Sequence, residues 1–198
     1  PENFVDKVQK ADYWKVKGND KVKFDAIVGN PPYQIMDGGS KASATPIYNY
    51  FVENAKAIHP NYLSMIIPAR WYSGGRGLDS FRENMLNDEK LERIFDYIDS
   101  NDCFSGVDIA GGICYFLWNR SYTGVCDVVN IHNGKKTRTS RNLKEYDVFI
   151  RYGQALSIFK KICSMETEFF DKYVSSQKPF GLRTYVKPTE DGELKLRY

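Results

Sequence analysis

Two histidines and four cysteines are few metal-binding side chains for 198 residues, and they are not spaced for the purpose. Cys103, Cys114, Cys126 and Cys163 lie 11, 12 and 37 positions apart, with no C-x-x-C pair and only His59 and His132 to help them, so no metal site is expected. Cys114 sits in the apolar run Ile113 to Trp118 and Cys163 in a helical pattern, which suits buried, reduced thiols of a cytosolic protein better than disulfides. No run approaches the roughly 18 uninterrupted apolar residues of a membrane span, and no signal peptide is visible, so a membrane partner is excluded and the cytoplasm is the expected location. Charge of one sign is lacking too. Lys and Arg total 28 against 25 Asp and Glu, and the net charge of +3 permits a polyanion partner without establishing one. No G-x-G precedes Asn30, so the glycine loop that cradles a nucleotide is missing from these residues. The chain opens at Pro1 without a methionine and ends in a new β-like segment, and it reads as a piece of a longer protein.

What is present has a clear rhythm. Phe24 to Val28 is a short apolar run halted by Gly29-Asn30-Pro31-Pro32, as a buried strand would be. Thr45-Pro46 suits a helix start, with Ile47, Tyr50, Phe51, Ala55 and Ile58 on one face. Leu63 to Ile67 reads as a strand, Ser80-x-x-Glu83 as a capping box, and Leu91 to Ile98 as a third strand. Strands alternating with helices predict right-handed crossovers and a mainly parallel sheet covered on both faces. Ile113 to Trp118 follows too closely for a crossover helix and is expected to run antiparallel. Asp127 to Ile131 is a candidate strand, and His132 to Lys144 a basic, polar stretch, read either as a solvated loop or as a phosphate-contacting segment. Helices are expected over Gln154–Ser164, burying Ala155, Leu156, Phe159, Ile162 and Cys163, and over Glu166–Val174, before linker and strand character to Tyr198.

Asn30-Pro31-Pro32-Tyr33 carries the chemistry. In an open α/β sheet ligands gather beyond the carboxyl ends of the strands, and the tetrapeptide follows a predicted strand directly. Here the chain resembles the amino-directed methyltransferases that use S-adenosylmethionine, in which this tetrapeptide holds the nitrogen to be methylated. An adenine amine is a poor nucleophile because its lone pair is delocalised into the ring. The Asn30 side-chain oxygen and the Pro31 carbonyl, held by two locked φ angles, can accept hydrogen bonds from that NH2 and favour a pyramidal nitrogen. Tyr33 offers a π face to a base swung out of the duplex.

Further likeness lies in Gly29 to Gln34, Gly38-Gly39, Pro46-Ile47-Tyr48, Ile67-Pro68-Ala69-Arg70-Trp71, Gly74-Gly75-Arg76-Gly77, Phe81-Arg82-Glu83-Asn84, Phe104-Ser105-Gly106-Val107 and Tyr115-Phe116-Leu117-Trp118. These residues resemble the adenine-specific methylases of bacterial restriction-modification systems, strongly over residues 8 to 120, while Ser176 to Gly181 weakly resembles the approach to their target-recognition region. The resemblance implies that Asp12 and Tyr13, with Asn30 and Pro31, contact S-adenosylmethionine, and that Phe104 stacks on the flipped base opposite Tyr33. Read from the residues alone, Asp12 is equally an exposed carboxylate and Phe104 equally a core residue. Arg70, Arg76, Lys135, Lys136 and Arg138 are candidate DNA contacts.

The resemblance thus implies a partial Rossmann-like methyltransferase sheet, α/β in class, with parallel strands and a terminal antiparallel strand, followed by helices and the start of a target-recognition region. Residues 1–150 would be the C-terminal part of the catalytic domain and 151–198 a helical linker and the beginning of that region. Double-stranded DNA and the remainder of the same polypeptide would be the partners. Protein-glutamine or RNA amino-methylation, or a non-catalytic DNA-binding module, are the competing readings.

Overall fold

Pro31 and Pro32 donate no amide hydrogen bond, and the strand before them, β1 (Ala26–Gly29), ends where they begin. A computed structural model describes residues 24–36 and 44–165, together with 168 and 173. The helix expected over Glu166–Val174 and the segment Ser176 to Gly181 lie outside the described residues, the isolated Glu168 and Tyr173 excepted. The chain divides into two compact units, Pro1–Leu156 and Ser157–Tyr198.

After β1 come β2 (Gln34–Met36) and β3 (Ala44–Pro46), an antiparallel ribbon pairing Gln34 with Pro46 and Ile35 with Thr45. Thr45 and Pro46 are therefore strand residues rather than the cap and first turn of a helix. Helix α1 (Tyr48–Ala57) starts after Ile47 with no side-chain cap, and it buries Tyr48, Val52 and Ala55 while Tyr50 and Phe51 are only half-buried. The buried face is thus rotated from the expected one toward Tyr48, Asn49 and Val52, with Ala55 common to both. Strand β4 (Tyr62–Pro68) leads into a 3-10 turn at Ala69–Tyr72 and then α2 (Asp79–Leu86). The capping box at Ser80 does not form. Asp79 instead accepts the Gly75 N–H at 3.0 Å from the loop before the helix.

Strands β5 (Leu91–Tyr97), β6 (Ile113–Asn119), β7 (Cys126–His132) and β8 (Lys135–Arg141) complete a six-stranded sheet of order β1-β4-β6-β5-β7-β8. β6 is antiparallel, as expected, but it is inserted between β4 and β5. The sheet is mixed rather than mainly parallel: β1 with β4 and β5 with β7 are parallel, and the other three pairings are antiparallel. The basic stretch read as a loop is strand β8. Asn133 and Gly134, both with positive φ (51° and 70°), make the tight turn that joins it to β7, and the Asn-Gly pair was the overlooked hairpin signal.

Alternation along the strands builds one packed face. Met65, Phe116, Ile94 and Val128 stand in register across four strands and are buried, joining the α1 and α2 residues Val52, Phe81 and Met85 in one core. On the opposite face Ile66, Tyr115, Phe95 and Val129 are half-buried, and Val28 on β1 is 78% exposed. Among the described residues the sheet is therefore covered on one face, not two. Helix α3 (Gly153–Cys163) also departs from expectation. It occupies nearly the predicted span but buries no residue, and Phe159, Ile162 and Cys163 are exposed. Among the described residues no helix is long and apolar enough to cross a membrane.

Asp88, in the turn between α2 and β5, ties three elements together. It accepts Lys56 Nζ at 2.7 Å and Trp118 Nε1 at 2.8 Å on one oxygen, and the Lys90 N–H at 3.0 Å on the other. Burial pushes this carboxyl's pKa up, but the Lys56 charge and these donors outweigh it and hold the group below the usual carboxylate value. Asp88→Ala should cost about 2 kcal/mol in urea unfolding at neutral pH. The wild-type contribution is complete above the unfolded value of about 3.9 and fades as pH falls through the lowered folded value, so Asp88→Asn should converge with wild type in acid. An unchanged urea midpoint for Asp88→Ala at pH about 7 would contradict this.

Candidate active site

Chain direction decides which loops can meet. β1, β4, β5 and β7 all run the same way, so Asn30–Tyr33, the Ala69–Tyr72 turn, the loop after Tyr97 and the Asn133-Gly134 hairpin share the sheet's C-terminal edge. At β1, Asn30 and Pro32 are exposed, Pro31 is buried and Tyr33 half-buried. The turn is closed by the Ile47 N–H donating to the Tyr33 carbonyl at 3.1 Å, which clamps the tetrapeptide between β1 and the ribbon before α1. No described residue takes the Pro31 carbonyl in a backbone hydrogen bond, so it can accept from a ligand.

Tyr33 Oη is buried beside the Asn30 side chain. Burial raises its pKa, as do the nearby Cys103 and Cys114, while the adjacent Asn30 side chain opposes the rise. Beneath it lies a small polar core. Cys114 Sγ accepts Trp71 Nε1–H at 3.4 Å, and the hydroxyls of Tyr48 and Tyr72, both raised by burial and by Cys114, are also buried, the first beside the Trp71 backbone and the second beside the Cys114 thiol. The Arg70 guanidinium lies near enough to Tyr48 to oppose that rise.

Phe104 is half-buried in the loop between β5 and β6. Three strand spacings, about 14 Å, separate the ends of β1 and β5. Cys103, next to Phe104 in this loop, lies near enough to Tyr33 to raise its pKa. Ser100, which sequence reasoning missed, braces it: Ser100 Oγ donates to the Val107 carbonyl at 2.7 Å and accepts the Ile109 N–H at 2.9 Å, while its carbonyl accepts the Phe104 N–H at 2.8 Å. Asp96 and Arg151 were missed as well. Asp96, fully buried, takes Arg151 Nη2 at 2.7 Å and Nε at 2.8 Å, plus Asn130 Nδ2 at 2.8 Å, and Arg151 also donates to the Gly111 and Tyr97 carbonyls at 2.7 and 3.1 Å. Asp96 is one of three charged residues on β5, with Glu92 and Arg93, so its charge alone did not single it out, and nothing in the sequence marked Arg151.

The basic residues are spread out. Arg70 is exposed on the turn after β4, and Arg76 is exposed in the glycine turn, where its φ is 50°. Lys135 and Lys136 are exposed beside the hairpin tip, which is fastened to the Phe104 loop by the Asn133 N–H on Asp102 at 2.7 Å. Arg138 lies further down β8, with Nε on Asp127 at 2.7 Å. Asp12 and Tyr13, and Gly38-Gly39-Ser40, lie outside the described residues. Among the described residues no group of three or more His, Cys, Asp or Glu is placed to hold a metal ion.

The profile of the Eco57I restriction-modification methylases matches residues 1–104, just over half of the chain. A relative from Mycoplasma pneumoniae (strain ATCC 29342 / M129 / Subtype 1), described as an uncharacterized adenine-specific methylase, is 35% identical over 145 residues, which are 71% of this chain. The chain spans about a third, 34%, of that relative's length. Among solved structures, a type I restriction-modification system methyltransferase subunit from Streptococcus thermophilus overlays with a TM-score of 0.42 at 12% identity, over 62% of this chain and 30% of that one. The type IIG restriction endonuclease BpuSI overlays at 0.40 with 16% identity, over 72% and 17%.

The cysteines give a direct check of the packing under the site. Burial pushes Cys114 and Cys126 up to about 12, whereas Cys163 is exposed, contrary to the expectation of a buried thiol. At pH about 8 an aromatic disulfide reagent should therefore modify Cys163 in the folded protein and reach Cys114 and Cys126 only after unfolding. Because both buried thiols stay protonated in the fold, their contribution to stability is complete below the unfolded value of about 8.5 and declines as pH rises above it. Rapid native-state labelling of Cys114 would mean that the core beneath Tyr33 is open.

Proposed function

The chain belongs to the Eco57I restriction-modification methylase family, and from that membership and the geometry of its sheet edge we propose that it is part of a DNA adenine N6-methyltransferase acting on a flipped-out adenine. The observation that carries the reading is the Asn30–Tyr33 turn at the C-terminal edge, with Cys103, the neighbour of Phe104, close to Tyr33. Residues 1–150 are taken as the C-terminal part of the catalytic domain and 151–198 as linker and the start of target recognition, completed by the rest of a longer polypeptide.

S-adenosylmethionine, when bound, supplies an electrophilic methyl group. The described residues suit the acceptor side of such a site: an exposed Asn30 amide and an available Pro31 carbonyl at one turn. Asn30 and Pro31 also border the donor, with Asp12 and Tyr13 assigned to its adenosine. Asn30 Oδ1 accepts one N–H of the adenine amine and the Pro31 carbonyl the other. Two hydrogen bonds in this arrangement favour a pyramidal nitrogen and localise its lone pair, so the turn acts by positioning and electrostatics, with no covalent bond to the protein. Pro31 and Pro32 keep the acceptors fixed at no further cost in chain entropy. Tyr33 and Phe104 hold the base between two aromatic groups, and Arg70, Arg76, Lys135, Lys136 and Arg138 face the DNA backbone. Four strand spacings, about 19 Å, separate β4 from β8, which matches five to six nucleotides at roughly 3.4 Å each.

In the full-length protein, Asn30→Ala should lower kcat for methyl transfer by about 100-fold or more and leave DNA affinity within about threefold, since its hydrogen bond matters most as the nitrogen changes geometry. Near-normal turnover would reject the assignment. Tyr33→Ala and Phe104→Ala should each weaken capture of the flipped base by about 1–3 kcal/mol. With 2-aminopurine at the target position, both variants should brighten less than wild type on binding; equal brightening would remove the two-aromatic clamp.

A further inference from the structure

A groove of about 620 Å3 opens on the same sheet edge, between the turn after β4, the loop before β6 and the segment that follows β8. Ala69 and Phe149 are buried at its floor, with the Phe149 ring stacked on Tyr72 at 4.0 Å, and Val148, 43% exposed, forms an apolar wall. The Ala110-Gly111 backbone makes the facing wall. Gly111 has φ 89° and open space where a Cβ would stand, so a ligand can approach its main chain closely.

Two guanidinium groups line this groove, and they differ in what they are free to do. Arg151 is committed to Asp96 and to the Gly111 and Tyr97 carbonyls, so it shapes the wall and brings no unneutralised charge. Arg70 is exposed, and its side chain makes no ion pair or hydrogen bond among the described residues. An apolar slot with one unneutralised, fork-shaped cation at its lip suits an anion that carries an apolar body. The strand that leads into this groove, β4, is the hydrogen-bonded neighbour of β1, so the groove and the Asn30 turn lie at the C-terminal ends of adjacent strands.

We propose that this groove seats one phosphodiester unit of the DNA strand bearing the target adenine, with the phosphate on Arg70 and the attached sugar against Val148 and Gly111. The proposal rests on the reading that Asn30 and Pro31 hold a flipped adenine. A strand pulled out of its stack at that point must carry its neighbouring phosphates along the edge of the protein, and the groove receives one of them.

The test uses the full-length protein and duplexes that carry a single neutral methylphosphonate at successive positions around the target. One position within about three nucleotides of the adenine should weaken wild-type binding about tenfold and have no further effect on Arg70→Ala, whose salt slope should fall by about 1. Val148→Glu, with unchanged thermal melting, should lose DNA affinity about tenfold or more through repulsion of the same phosphate. Additive losses at every position, or wild-type affinity and salt slope in Arg70→Ala, would overturn the groove. Asn30→Ala separates the two claims. If it still transfers methyl groups, the adenine reading fails; if it is inactive and the Arg70 coupling is absent, the groove alone fails.

Discussion

Strand β6 hydrogen-bonds to β4 along its whole length, from Tyr62 opposite Asn119 to Pro68 opposite Ile113, and to β5 on its other side. The spacing of the loops at the sheet's C-terminal edge depends on that double pairing. β6 holds the ends of β4 and β5 two strand spacings apart, with Arg70 on the turn after one and Phe104 in the loop after the other. Its side chains supply the middle of the core, where Cys114, Phe116 and Trp118 are buried on the packed face. A β6 slipped by one residue would turn those three to the half-exposed face and put Tyr115 and Leu117 inside.

The polar groups beneath this edge are unusual for a protein core. Asp96 and Arg151 form a buried ion pair whose remaining hydrogen bonds reach the Gly111 and Tyr97 carbonyls and Asn130, which offsets the desolvation of both charges. Tyr33, Tyr48 and Tyr72 bring three buried hydroxyls close to one thiol, that of Cys114.

Much of this was legible in the sequence because it is local. The apolar run before Asn30, the prolines that end it, the strands at Leu63, Leu91 and Ile113, and the antiparallel direction of the last all follow from period and spacing. The Asn30–Tyr33 motif was legible for the same reason, since four adjacent residues define it. Other features needed information that periodicity does not hold. Thr45-Pro46 reads as a helix start by residue type, but pairing with Gln34 and Ile35 makes it a strand. Polar β8 has no apolar alternation and is recognised only through the Asn-Gly turn. The α3 residues Phe159 and Ile162 form an apolar stripe, and a stripe does not reveal whether anything covers it. Arg151 acts on Asp96 across 55 positions, a distance at which sequence pattern is silent.

The central claim is that the turn at Asn30 presents an adenine amine for methylation, and the identity of the methylated atom tests it most directly. Full-length protein would be supplied with isotopically labelled methyl donor and duplex DNA, and the digested DNA and the protein would both be analysed by mass spectrometry. The account predicts that the label appears as N6-methyladenine. Label recovered as a methylated cytosine, or on a protein side chain with none on adenine, would contradict it.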